Sequence, residues 1–247
     1  MTLKSGETFY PGVEDSVAAV QAKSTISDLI DAIVELVTNS DDSYSELEQS
    51  GENPSGNIEI SIKRTKDGKL EELKISDEAA GINPGKFENI IRYGKKTSAF
   101  YEGKSVRGFF GRGLKESIIA LGTGLISTIA EGKETEGEYF YDHSEKRIKF
   151  ITITFNSETI KPSGTIITIS RAENRNVRCP PFEALFNRIL NHFALREILT
   201  NTNRKVTLIV EHLGLKKGGK SYKKKLRFEK LVGQMIVNDK LYLKGFG

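Results

Sequence analysis

The chain reads as an α+β protein, a two-layer sandwich in which a mixed, mostly antiparallel sheet is covered by helices on one face. Three patterns predict this. Apolar residues recur at helical spacing over Ile26, Leu29, Ile30, Ile33, Val34 and Val37, whereas later segments alternate apolar with polar residues as half-buried strands do. The strand segments follow one another through short connections, which favours antiparallel pairing. The helices fall before and among the strands, so they gather on one side of the sheet.

Composition sets the bounds. With 37% hydrophobic and 28% charged residues, the 247-residue chain can bury a full core and suits one large domain or a domain with an appendage. Cys179 is the only cysteine, which excludes an internal disulfide framework. The N-terminus MTLKSGETFYPG lacks the apolar stretch of a signal peptide, and no segment approaches the roughly 20 apolar residues that span a bilayer. The expectation is a cytoplasmic protein with no membrane partner. A net charge of +4 is too small at this length to imply a nucleic-acid partner by itself.

The first long helix carries DAIVELVTNSDD, Asp31 to Asp42. Opposite its apolar stripe fall Asp28, Asp31, Glu35, Asn39 and Asp42, with Glu35 and Asn39 four apart and therefore stacked on one face. Two readings are open: a solvated face, or a face turned toward a divalent cation and a polarised water. The absence of Lys and Arg among the five favours the second, because a surface face normally mixes signs.

A hairpin follows, with Ile58, Ile60 and Ile62 alternating, a turn at Asp67-Gly68, and Leu73 and Ile75 alternating again up to Asp77. Asp77 shares their parity, so its carboxylate sits at the core edge of the strand's end and needs donors there. In DEAAGI the small residues Ala79, Ala80 and Gly81 leave room for a flat ligand, and Asp77 can accept a hydrogen bond from an exocyclic amine such as that of adenine. The alternative is an Asp capping the next turn.

Asn83 as cap, Pro84 at the first position, and Phe87, Ile90 and Ile91 predict a short helix ending near Gly94. The polar connection YGKKTSAFYEGKSVRGFFGRG is longer than a compact domain ordinarily spends on a link and reads as a lid. Gly108, Gly111 and Gly113 close it in a G-x-x-G-x-G arrangement just before the helical pattern LKESIIALG. Glycines admit phosphates close to the backbone, and helix N-terminal amides attract them. Lys115 opposes the helix dipole in the first turn, and a bound phosphate would compensate it. The context is not that of a dinucleotide-binding βαβ unit, and the P-loop pattern is absent.

Leu125–Ala130, Glu138–Tyr141, Ile148–Phe155 and Thr165–Ile169 read as strands, Pro181 to about Leu199 as one helix, and Lys205–Leu213 as a further strand. The stretch KKGGKSYKKKLR, Lys216 to Arg227, holds six lysines and one arginine. Contact with nucleic-acid phosphates is one reading; a solvated hairpin loop is favoured, because only Tyr222 offers a stacking surface. A last hairpin is expected around Asn238-Asp239. His143, His192 and His212 show no metal-ligand spacing with Cys179 or one another.

Taken in order, these segments resemble the GHKL ATPase family of DNA gyrase B, the ninety-kilodalton heat-shock chaperone, sensor histidine kinases and MutL. The resemblance runs from about Ser24 to Ser170. ELVTNSDD is similar to the family's N box, DEAAGI to its first glycine box, RGFFGRGLKES to its second and SGTIITI to its late Gly-Thr strand. The GRGLK wording looks closest to MORC-type and related prokaryotic members. The resemblance implies a Bergerat-type sandwich with ATP and Mg2+ as cofactors. It makes Glu35 the general base for water, Asn39 the magnesium ligand, Asp77 the adenine anchor and Thr165 a helper at an adenine-bound water. Gly108, Gly111, Gly113 and Lys115 would lie along the triphosphate. Asp42, Gly81 and Ile82 are further expected ATP contacts, as are Tyr93, Gly94, Lys95, Lys96 and Thr97 ahead of the lid and Phe110, Arg112 and Leu114 at its end. One departure is Ala79, where the family usually has glycine; an alanine there would be strained if φ were positive.

The function so implied is an ATPase whose Mg-ATP binding and hydrolysis drive lid closure, conformational change or homodimerisation. The ATP-binding domain is expected at residues 1–213, with 214–247 a basic loop and hairpin that begins a following domain of a longer protein. A nucleotide-gated binding module with little hydrolysis is one alternative. Histidine-kinase phosphotransfer is the other, disfavoured because such kinases do not place a water-activating Glu four residues before the Asn.

Overall fold

The computed structural model describes residues 5–6, 8–9, 15–92, 112–172, 176–214 and 220–229. Its helix α1, Asp15–Thr25, has no counterpart in the sequence reading. The residues it buries are Ala18, Ala19 and Ala22, so its inner face lacks the large apolar side chains that periodicity detects. Helix α2, Leu29–Gln49, starts at a capping box: the Asp28 carboxylate accepts from the Ile30 and Asp31 amides while the Asp31 carboxylate accepts from the Asp28 amide.

Strands β2 (Asn57–Arg64) and β3 (Leu70–Asp77) form the expected hairpin, Ile60 opposite Ile75 and Ile62 opposite Leu73. Helix α3 is Pro84–Ile91, where the Asn83 side chain accepts from the Gly85 amide at 2.8 Å. Helix α4, Gly113–Leu121, runs straight into β4 (Gly122–Ala130). Then follow β5 (Lys133–Asp142), β6 (Arg147–Glu158) and β7 (Gly164–Arg171).

The single helix expected over 181–199 is broken. Helix α5 covers Phe182–Leu190, a 3-10 turn covers Phe193–Leu195, and α6 covers Arg196–Thr200. The Asn191 side chain donates to the Asn187 carbonyl at 2.8 Å and ends α5, while His192 is extended. The break lets Leu195, Ile198 and Leu199 re-enter the core at a new angle. Strand β8 is Lys205–His212, and β9, Lys220–Leu226, pairs antiparallel with it. The lysines read as loop therefore lie mostly on the second arm of a hairpin, at the sheet's edge. Strand β1, Thr8–Phe9, pairs with β6 at the opposite edge.

Among the described residues the sheet has nine strands in the order β1-β6-β5-β4-β7-β3-β2-β8-β9, and β2–β8 is its parallel pair. One face of the sheet, lined by Ile58, Ile60, Ile62, Leu73, Ile75, Ile126, Phe150, Ile169 and Leu208, joins the helices in one core. A fully buried side chain of this kind contributes about 1.5–3 kcal/mol. On the other face Ile153 and Ile166 are exposed. Ahead of β8, Arg204 is buried; its guanidinium donates to Asp41 at 2.6 Å and to both oxygens of Glu48 at 2.6 and 3.0 Å, clamping α2 to the sheet. Among the described residues no helix is long and apolar enough to cross a membrane.

Candidate nucleotide site

Helix α2 builds the site from two flanks. Its buried positions, Ile33, Leu36, Val37, Ser40 and Tyr44, face the sheet, while Glu35 is half-buried and Asn39 exposed on the outer flank. Asp28 and Asp31 leave the proposed acidic stripe, because they cap the helix and Asp28 is also paired with Arg188 of α5. Their shared sign reflects the first-turn preference for carboxylates, not a cation. Asp42 lies half-buried on the flank of Glu35 and Asn39.

The first turn of α4 packs against Glu35 so closely that a Cβ on Gly113 would stand 2.0 Å from Glu35 Oε2. Burial raises the Glu35 carboxyl above its ordinary range, and the nearby Glu116 and Asp31 carboxylates add to the rise. Arg112, the N-cap residue of α4, makes no side-chain capping hydrogen bond. Lys115 is turned inward and 1% exposed; its Nζ donates to the Arg92 carbonyl at the end of α3, at 2.8 Å. A helix C-terminal carbonyl thus compensates the cation here, and burial pushes its pKa down to about 8. Arg112 lies 3.6 Å from the buried Glu116, and Leu114 packs against the core.

At the other flank, Asp77 ends β3. Its Oδ2 accepts from the Ser40 hydroxyl at 2.7 Å, and its Oδ1 from the Ala79 and Thr165 amides at 3.1 and 3.2 Å. Burial outweighs these three donors and leaves the carboxyl raised. Thr165 sits opposite both Asp77 and Thr128, and the Thr128 hydroxyl accepts from the Ile82 amide at 2.7 Å. The chain turns at Gly81 with φ +70°, where a Cβ would stand 1.9 Å from the Ile129 carbonyl. Ala79 is not among the described non-glycine residues with positive φ, so it carries no left-handed strain. The glycine requirement falls on Gly81 instead.

Asp77, Gly81, Ile82 and Thr165 are therefore brought together, as are Glu35 and Gly113. Ser40, next to Asn39, joins the two groups. Tyr93, Gly94, Lys95, Lys96, Thr97, Gly108, Phe110 and Gly111 lie outside the described residues. Ser40, Tyr44 and Thr128 were missed by sequence reasoning. The first two had a signal: polar residues continuing the buried stripe of α2 at helical spacing. Thr128 had none, since a threonine in a strand is ordinary.

A cavity of about 470 Å3 lies along the outer flank, lined by Val34, Glu35, Thr38 and Asn39 and walled by Phe193, Ala194, Arg196 and Glu197. That second wall depends on the break after α5. Asp77 does not line it. Among the described residues no group of three or more His, Cys, Asp or Glu could hold a metal.

A family model described as histidine kinase-, DNA gyrase B-, and HSP90-like ATPase matches residues 26–167, more than half of the chain. No curated protein matches the chain.

Proposed function

Because the chain belongs to the histidine kinase-, DNA gyrase B- and HSP90-like ATPases, an ATP-binding type of domain, we propose that it hydrolyses ATP with magnesium and uses nucleotide to drive closure and homodimerisation. One observation supports this reading: a little over one turn of α2 reaches both groups of candidate residues. Glu35 lies against Gly113, and Ser40, adjacent to Asn39, holds Asp77.

In this reading Asp77, kept in place by three donors, accepts a hydrogen bond from the exocyclic amine of adenine. Gly81 lets the base approach the backbone, and Thr165 holds a water at its edge. The N-terminus of α4, where the Arg112 side chain makes no cap, offers its amides to the phosphates. Glu35 orients a water and takes its proton as the water oxygen bonds to the γ-phosphorus and the bond to the ADP oxygen breaks, giving ADP and phosphate. A raised carboxyl pKa makes Glu35 a stronger base than an ordinary glutamate.

The residues fit magnesium entering with its substrate. Mg2+ is usually held by one or two protein oxygens together with phosphates and waters, and the exposed Asn39 amide oxygen on the flank of Glu35 would supply one. When bound, the ion neutralises charge developing on the phosphates. The bond from Lys115 to the Arg92 carbonyl joins the first turn of α4 to the end of α3.

Phosphate release and nucleotide affinity measured on paired variants test the reading. Glu35→Gln is expected to slow release by about 100-fold or more with ATP affinity nearly unchanged, whereas Asp77→Asn is expected to abolish ATP binding. Turnover unaffected by the first change, or affinity unaffected by the second, sinks the corresponding role. ATP binding without release by the wild type would favour a nucleotide-gated binding module.

A further inference from the structure

We propose that Tyr44 is a positioning residue for the base of the nucleotide: its hydroxyl joins the start of β2 to the chain leaving β3 and so sets where the Asp77 carboxylate stands. This rests on the assignment of Asp77 to adenine given above.

Tyr44 is fully buried on α2, one turn beyond Ser40, the residue whose hydroxyl bonds Asp77. The β2–β3 ladder reaches Ile58 opposite Asp77. One position further, the phenol is inserted between the strands: its O–H donates to the Asn57 carbonyl at 2.6 Å, and its oxygen accepts the Glu78 amide at 2.9 Å. A side chain thus substitutes for a rung, holding the two backbones apart at the point where the chain must leave the sheet toward Gly81.

The bridge is itself held from three sides. The Arg204 guanidinium lies 5.1 Å from the ring centroid. The Glu78 carboxylate accepts from the Ser55 hydroxyl and the Asn57 side-chain amide, each at 2.7 Å. Burial raises the phenol pKa above its ordinary value of 10, so the hydroxyl keeps the proton it donates. Without that oxygen, the Glu78 amide and Asn57 carbonyl lose this partner and can close on each other as a ladder pair. Asp77, the preceding residue, would move with them. Ring burial is a packing contribution; the hydroxyl is the part that positions.

Steady-state kinetics of Tyr44→Phe with ATP and with inosine triphosphate separates the two contributions, because the inosine base has a carbonyl where adenine has its amine and gives Asp77 no such donor. The expected result is a KM for ATP raised by about tenfold, as suits loss of a bridging buried hydroxyl, a KM for inosine triphosphate changed by less than about twofold, and kcat unchanged for both. The variant's preference for ATP then shrinks. An unchanged KM for ATP, an equal loss with both nucleotides, or a loss in kcat overturns the proposal. Asp77→Asn in the same assay keeps the two readings apart: with Asp77 essential and Tyr44→Phe silent, only the positioning role fails. A wild type indifferent to the base overturns the adenine assignment and this role with it. Should Tyr44→Phe not fold, hydrogen exchange at the Glu78 amide of the wild-type protein decides: slowing on addition of ATP supports the bridge, and an unchanged rate overturns it.

Discussion

At the scale of single residues, the proposed chemistry turns on two carboxylates whose surroundings differ. Asp77 has three donors and stays raised because burial outweighs them. Glu35 has the backbone of Gly113 against it and two other carboxylates nearby, so its rise comes from desolvation first and like charge second. A base must be ionised to act, and a raised pKa means protonation overtakes Glu35 earlier as pH falls. The acid limb of kcat for ATP hydrolysis is therefore expected above the ordinary glutamate value of 4.5. The same sign makes ionised Glu35 a small cost to the fold that grows as pH rises through its pKa. Glu116→Gln removes one of the raising charges and should move the limb to lower pH. A kcat profile with its limb at or below 4.5 in the unsubstituted protein would count against Glu35 as the base. Both carboxylates were legible in the sequence, Glu35 by its spacing from Asn39 and Asp77 by its strand parity. Their partners were less so: Ser40 and Tyr44 are distant from β3 in the chain, and only packing shows that the buried stripe of α2 ends against it.

At the scale of elements, α2 is the part on which the site depends, and it is held by charge as well as by its apolar stripe. Arg204 is buried against Asp41 and Glu48, and no periodicity could announce that pairing across more than 150 positions. Removing one partner of a buried pair strands the other charge, at a cost of about 3–5 kcal/mol. Arg204→Met is expected to lower the stability measured by urea unfolding by that order, and Asp41→Asn in the same chain to recover part of it. A loss below about 1 kcal/mol would mean that the clamp is ornamental. Two elements depart from what their sequences suggest. Helix α1 hides because its inner face is alanine, and the 181–199 helix breaks because Asn191 closes its own turn while the following apolar residues have a different part of the core to fill. The break brings Phe193 and Arg196 to the cavity beside Glu35 and Asn39.

At the scale of the whole molecule, the nine strands among the described residues carry helices on the face that builds the core, and both flanks of the candidate site meet at α2 above that covered face. A ligand that binds only the folded chain stabilises it by about 2.7 kcal/mol at 100 times its dissociation constant. For a chain of this size, that corresponds to a rise in melting temperature of roughly 5–10 °C. A thermal melt with ATP and magnesium is expected to show such a shift in the unsubstituted protein and none in Asp77→Asn; absence of the shift in both removes the nucleotide reading. Much of the architecture could be read in the linear chain, because helical period, strand alternation and capping residues are local: the α2 pattern, the β2–β3 hairpin, the Asn83 cap and strands β4 to β8 all follow from neighbours within a few positions. The glycines were visible too, but not their reasons. That Gly113 yields to a carboxylate, that Gly81 and not position 79 takes the left-handed turn, that Lys115 faces a carbonyl, and that a tyrosine from α2 fills a rung between β2 and β3 are all contacts between segments far apart in sequence. Composition and spacing decided which elements form and which residue types are on hand; close approach of their backbones, which only the packed chain defines, decided which of those residues meet.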